Sequence, residues 1–164
     1  MGEKPWEGAE VSLRPGAGLL VGSEVAGAAL AAAVVLRARD EGLETRMTGV
    51  FLSAGIFLDP GCVPEQLQAF YRSRSDERCI DSPQPPDERA SSARRAVEAA
   101  SMERNAAHRT TGHANLPRTY VQACGLDLWR DDGILYAHVL RELGNEVRLD
   151  VYSGAPHGFW HLVP

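Results

Sequence analysis

Two short stretches in the second half of the chain carry side chains able to move protons. Asp127 lies in Cys124-Gly125-Leu126-Asp127-Leu128-Trp129-Arg130-Asp131-Asp132-Gly133, and His157 lies in Pro156-His157-Gly158-Phe159-Trp160. A carboxylate that holds an imidazole fixes its tautomer and suits it to general acid–base work near neutral pH. An acid after one strand and a histidine after the next is the order of the last two members of a nucleophile–acid–histidine triad. The turn that should supply the nucleophile reads Val21-Gly22-Ser23-Glu24-Val25-Ala26-Gly27. Ser23 is a weak substitute, because the residues two positions away on either side are Val21 and Val25 rather than the glycines of a sharp nucleophile turn. Glu24 has a carboxylate that can in principle attack, against which stands the plainer role of a turn residue facing solvent or the next loop.

The elements that must position these residues are legible from pattern. Leu19-Leu20-Val21 is a short apolar run of buried-strand type, followed by a glycine-bearing turn and an Ala/Leu/Val/Arg segment reaching Glu41. Arg37 and Arg39 suit the negative end of that helix, and Gly42 stands where a C-terminal cap is expected. Gly49 to Ser53 predicts a second strand, Thr119 to Cys124 a third and Val147 to Tyr152 a fourth, with a helix from about Asp131 to Leu143 between the last two. Strand-helix-strand units of this length imply parallel strands, so the expected class is α/β with a mostly parallel sheet of about four strands, flanking helices and an insertion. In such sheets reactive residues sit in loops at the carboxyl ends of strands, here 22–27, 126–130 and 156–160.

The remaining segments carry less. Residues 1–17 are rich in Gly, Pro and charge and predict a flexible arm with at most a short strand around Val11 to Leu13. Residues 18–164 form the expected domain, with a divergent insertion over 61–112 in which Pro83, Pro85 and Pro86 cluster. Helices are expected within it near Pro64 to Arg72 and Asp87 to Ala107, the second with a thin apolar face.

Composition excludes several classes. The 164 residues suit a single domain, and a net charge of −5 from 17 basic and 22 acidic side chains gives no footprint for nucleic acid. The longest apolar run, Val25 to Leu36, is far short of the ~20 residues that a bilayer span needs. The start, Met1-Gly2-Glu3-Lys4-Pro5-Trp6, has no apolar signal core, and Trp6 stands where a myristoylation pattern needs Ser or Thr, so a cytoplasmic location is expected. Cys62, Cys79 and Cys124 are odd in number and widely spaced, which suits reduced, packed thiols. His157 with His161, and His108 with His113 in a predicted loop, suggest a metal by spacing alone, so neither metal nor cofactor is expected.

The run Leu116 to Gly133, followed by Tyr136 and Val139-Leu140, resembles the acid-bearing segment of hormone-sensitive-lipase-type α/β-hydrolases, especially fungal ones. Tyr152 to Trp160 resembles the family's histidine loop, and Gly18 to Arg39 its nucleophile strand and helix, whereas about 74–108 match its cap region poorly. The resemblance implies a partial α/β-hydrolase fold with a cap-like insertion, Asp127 as triad acid and His157 as general base. Aligning Gly22, Ala26 and Gly27 on the family's G-x-S-x-G elbow puts Val25 at the nucleophile. An isopropyl group has no proton to give and no lone pair to attack with. The family's His-Gly-Gly-Gly-type oxyanion loop has no counterpart in the roughly twenty residues before the elbow, which leaves the Ala26 amide as the implied donor. The same resemblance implies that neighbouring strands and a final helix are not encoded, leaving an open sheet edge.

Three functions follow. The first is an esterase/lipase-lineage protein inactive as a serine hydrolase, acting if at all on a small apolar ester or related metabolite. The second is a non-hydrolytic acid–base enzyme that uses His157 and Asp127. The third is an assembly module pairing its open edge with a second copy or a homologue.

Overall fold

The structure is a computed structural model that describes residues 18–43, 47–58, 63, 65–79 and 112–161. Four strands, β1 (Leu19–Glu24), β2 (Met47–Ser53), β3 (Thr119–Cys124) and β4 (Val147–Tyr152), form one sheet in the order β1-β2-β3-β4. Every neighbouring pair is parallel, with Val21 beside Val50, Leu52 beside Val121 and Val121 beside Leu149. Parallel neighbours need a crossover, and two crossovers of the same hand running along the sheet in the same direction land on the same face. Helix α1 (Ala26–Asp40) joins β1 to β2, a one-turn helix α2 (Glu65–Gln68) follows β2, and α3 (Arg130–Glu142) joins β3 to β4.

Both long helices do pack on one face. Ala28, Ala31, Ala32 and Val35 of α1 meet Val50, Leu52 and Val121 of the sheet and Tyr136, Ala137 and Leu140 of α3 in one buried cluster. The spacing of three and four residues along α1 makes a single stripe, and its alanines let the helix backbone come close to the sheet. Leu52 and Leu140 are each 1% exposed, so truncating either to alanine is worth about 2 to 5 kcal/mol by cavity formation. Phe57 stacks on Tyr136 with ring centroids 4.5 Å apart, closing the cluster beyond the end of β2.

The other face is more polar. Phe51 and Tyr120 pack side by side there at 5.7 Å, Ser53 donates to Gln122 Oε1 at 2.9 Å, and Tyr120 donates to Asp150 at 2.9 Å. A cavity of about 430 Å³ lies over its amino-terminal half, lined by Leu20, Phe51, Arg118, Tyr120 and Arg148 among others. This cavity is at the wrong end of the strands for the site, because reactive loops in parallel sheets follow their carboxyl ends. Strand β1 is an outer strand among the described residues, and Leu19 and Leu20 are 49% and 66% exposed along it.

The strands expected at Leu19–Val21, Gly49–Ser53, Thr119–Cys124 and Val147–Tyr152 and the helices expected to reach Glu41 and to run from about Asp131 to Leu143 are present, with ends shifted by a few residues at most. The helix expected from Pro64 to Arg72 is a correction: only Glu65–Gln68 is α-helical, and a 3₁₀ turn follows at Ser73–Ser75. After Gln68 the chain turns, with Phe70 N donating to Leu67 O and Tyr71 N to Gln68 O, and the amides of Arg72 and Ser73 then both donate to Asp131 Oδ2, at 2.6 Å each, instead of resuming a helix. His113 lies in irregular structure before β3, as expected, and is buried there at 1% exposure, meeting Tyr136 edge-on at 5.7 Å. The expected strand at Val11 to Leu13, the helix at Asp87 to Ala107, His108 and Cys62 lie outside the described residues. No helix among the described residues is long and apolar enough to cross a membrane.

Candidate active site

The turn after β1 is built by backbone rather than by side chains. Val25 has φ 54° and ψ −128°, a left-handed conformation that a β-branched residue rarely adopts. Its N–H donates to Ser53 O at 2.9 Å, and its carbonyl accepts from Ala28 N at 3.1 Å as α1 begins. The turn has no capping side-chain hydrogen bond and α1 has no acidic residue in its first turn, so backbone bonds and packing hold the strain. Ala26 is the first residue of α1, which puts its amide among the N-terminal N–H groups that have no acceptor within the helix. A Cβ on residue 27 would collide with Ser23 Oγ, so Ser23 is turned back against the start of the helix.

The acid and the histidine meet. His157 Nδ1 is 2.8 Å from Asp127 Oδ2, with the carboxylate side chain fully buried and the imidazole 9% exposed. A carboxylate only accepts, so Nδ1 carries the shared proton, which in the neutral ring leaves the lone pair on Nε2. Asp127 Oδ1 accepts from Trp129 N at 2.9 Å, just before α3 starts. Asp127 therefore steadies the helix entry with one oxygen and orients the imidazole with the other. Gly125 makes this possible, because its amide bonds Tyr152 O at 2.8 Å where any Cβ would strike the chain at Ser153.

The loop carrying His157 is tied down at several points. Leu126 N donates to Ala155 O at 3.0 Å, and Gly158, with φ 67°, reverses the chain into a 3₁₀ turn over Phe159–His161. Phe159 packs on Tyr152 at 5.1 Å. Cys124 lies beneath, fully buried; burial pushes its thiol up to about 11, partly opposed by the Gly158 and Phe159 amides that reach its sulfur. Glu24 faces this loop rather than solvent alone. It accepts from Trp160 Nε1 at 2.5 Å, and its other oxygen is 3.2 Å from His161 Nε2.

A carboxylate cluster beside the site was not singled out from sequence. Asp132 is buried and accepts from Phe57 N, Leu58 N and Tyr71 Oη at 3.1, 2.9 and 2.8 Å, with Arg74 at 3.5 Å. Burial pushes its carboxyl up to about 6 despite those donors and the Arg74 charge. Asp131 lies lower than usual: burial raises it, but Arg130 and the Arg72 and Ser73 amides outweigh that. Two adjacent acids opening a helix were the available signal, yet nothing local says which backbone amides they receive. Among the described residues no group of three or more His, Cys, Asp or Glu side chains is gathered to hold a metal.

The chain matches the alpha/beta hydrolase fold family over residues 7–161. It is 30% identical over 157 residues to an AB hydrolase superfamily protein of Schizosaccharomyces pombe, covering 94% of this chain and 46% of that protein. Over 47 residues it is 45% identical to hormone-sensitive lipase of Mus musculus, covering 29% of this chain and 6% of that protein. The solved structure of vibralactone cyclase superposes with a TM-score of 0.66 at 28% identity, covering 87% of this chain and 42% of that one. The chain thus spans less than half the length of these relatives. A match running from residue 7 to 161, over a parallel sheet of this order, makes the chain a member of the alpha/beta hydrolase fold family, of esterase and lipase lineage.

Proposed function

We propose that this chain keeps the acid–histidine half of a hydrolase site but does not hydrolyse esters through a serine. The observation that carries the reading is Val25 in the strained turn at the head of α1, while His157 and Asp127 remain paired at 2.8 Å. The backbone has the conformation of a nucleophile elbow, and its side chain has no oxygen. Losing the nucleophile leaves at most the residual catalysis of binding and polarisation. The Ala26 amide is the proposed oxyanion donor, and loss of one donor from such a hole lowers turnover by roughly two to three orders of magnitude. Small apolar esters or related metabolites are the substrate class in view, in line with relatives named as esterases and lipases.

Turnover of p-nitrophenyl acetate tests this reading. The unaltered chain is expected to match its His157→Ala variant at background rate, and Val25→Ser is expected to add only slow, His157-dependent hydrolysis. Ester turnover by the unaltered chain that disappears in His157→Ala overturns it.

A second reading is favoured by the pair itself. An imidazole oriented by a carboxylate can shuttle protons without a covalent intermediate, as isomerisation, dehydration or cyclisation requires. The likeness to a vibralactone cyclase keeps cyclisation in view. Conversion of a candidate cyclisation substrate should then fall on His157→Ala and on Asp127→Asn, yet survive Val25→Ala. Survival in His157→Ala excludes it.

A further inference from the structure

We propose that Glu24 is a positioning residue, whose carboxylate fastens the turn after β1 to the loop carrying His157. It rests on the reading above that His157 is the proton-transferring group. The contact joins residues 136 positions apart in the chain, through the Trp160 indole N–H at 2.5 Å. His161 Nε2 approaches the second Glu24 oxygen at 3.2 Å and the same indole nitrogen at 3.1 Å, so a three-member cluster closes over the edge of the site.

The ties of this loop described above run to β3, β4 and Asp127, and Glu24 adds one to the elbow. The loop's base is fixed to β3 through Gly125 and Leu126, and its tip is a 3₁₀ turn stiffened by the Phe159 N to Pro156 O and His161 N to Gly158 O bonds. A stiff tip on a fixed base can still tilt, and tilting moves His157 relative to Val25. Glu24 immediately precedes Val25, whose backbone is fixed by the bond to Ser53 O. A tether from Glu24 to Trp160 therefore sets the distance between the elbow and the imidazole rather than merely decorating the surface. The His161–Glu24 half of the cluster is 66% and 44% exposed and contributes little alone. The indole–carboxylate bond is the member with weight, because a hydrogen bond to a charged acceptor is about twice as strong as a neutral one.

Nuclear magnetic resonance on the full chain tests the proposal without needing turnover, so its result stands apart from the ester assay. The readouts are the downfield Nδ1–H signal of His157 and the hydrogen exchange of amides 157–161, with the Val121 and Ala123 amides of β3 as internal control. Glu24→Ala is expected to speed exchange of the loop amides and of the Nδ1–H by roughly tenfold or more, the loss of one charge-assisted bond, with the β3 amides unchanged. Glu24→Gln keeps an acceptor for the indole and should restore most of the protection. Trp160→Phe, which keeps a ring but removes the donor, should reproduce Glu24→Ala and serves as the second test if that variant folds poorly. Equal acceleration of loop and β3 amides, or no change at the Nδ1–H in either variant, overturns the proposal.

Discussion

The two strand–helix junctions that frame the site differ in how they are held. At the β1–α1 junction a β-branched residue sits at φ 54° with no capping side chain and no acid in the first turn. At the β3–α3 junction, carboxylates carry the load: Asp127 receives Trp129 N and His157, Asp131 receives the Arg72 and Ser73 amides, and Asp132 receives those of Phe57 and Leu58. A strained turn can thus persist on packing and backbone bonds without a capping side chain. A carboxylate junction depends on its side chains and should fail when they are removed.

The largest expected effect is on the carboxylate side. Asp132→Ala leaves buried amides, a phenol and a guanidinium without their acceptor, and should lower unfolding free energy by about 3 kcal/mol in denaturant titrations. A loss under 1 kcal/mol would break the contrast between the junctions. The same residue gives a pH signature. Its folded carboxyl titrates near 6 against an ordinary 3.8, so its contribution is fully present below about 3.8 and is lost as pH rises through 6. Stability should therefore fall between pH 4 and 6 by an upper limit of about 3 kcal/mol, and Asp132→Asn should flatten that slope relative to the unaltered chain. Asp131, held low, works in the opposite direction as pH falls, so the difference between the two proteins is the measurement that isolates Asp132.

On the elbow side the sign reverses. Val25→Gly removes a left-handed strain of about 1 to 2 kcal/mol and adds unfolded-state freedom of about 0.5 to 1 kcal/mol, for a net gain near 1 kcal/mol. A destabilised glycine variant would show that the valine side chain, not the backbone, holds the turn. The smallest effect belongs to the exposed Arg37–Glu41 pair at the far end of α1, where Arg37→Ala should leave the melting midpoint unchanged within error.

Much of this molecule was legible in its pattern. The limits of β3 and β4 follow from runs of alternating or apolar residues bounded by Gly125 and Asn145, and α1 ends at Asp40 with Gly42, at φ 71°, just past its C-cap Glu41. Asp127 and His157 were readable because their flanking motifs and chain order are local features. The helix expected across Pro64 to Arg72 is shorter than its local pattern suggested, because the chain turns at Phe70 and Tyr71 and Asp131 then takes the Arg72 and Ser73 amides from 59 and 58 residues away. His113 was readable as a loop residue, but its burial was not, because nothing near it in sequence announces the ring of Tyr136 against which it packs.

The sequence by itself determined the layered class and the parallel sheet, and it singled out Asp127, His157 and Val25 as the residues to examine. These are properties of residue type, spacing and order along a short stretch of chain. Only the tertiary structure decided that Asp127 divides its two oxygens between His157 and Trp129, that Val25 holds a strained turn through Ser53, and that Glu24 reaches Trp160 across the site. Each of those depends on where separate loops come to rest on the sheet, which is set by strand register and helix packing and is written nowhere in the local pattern.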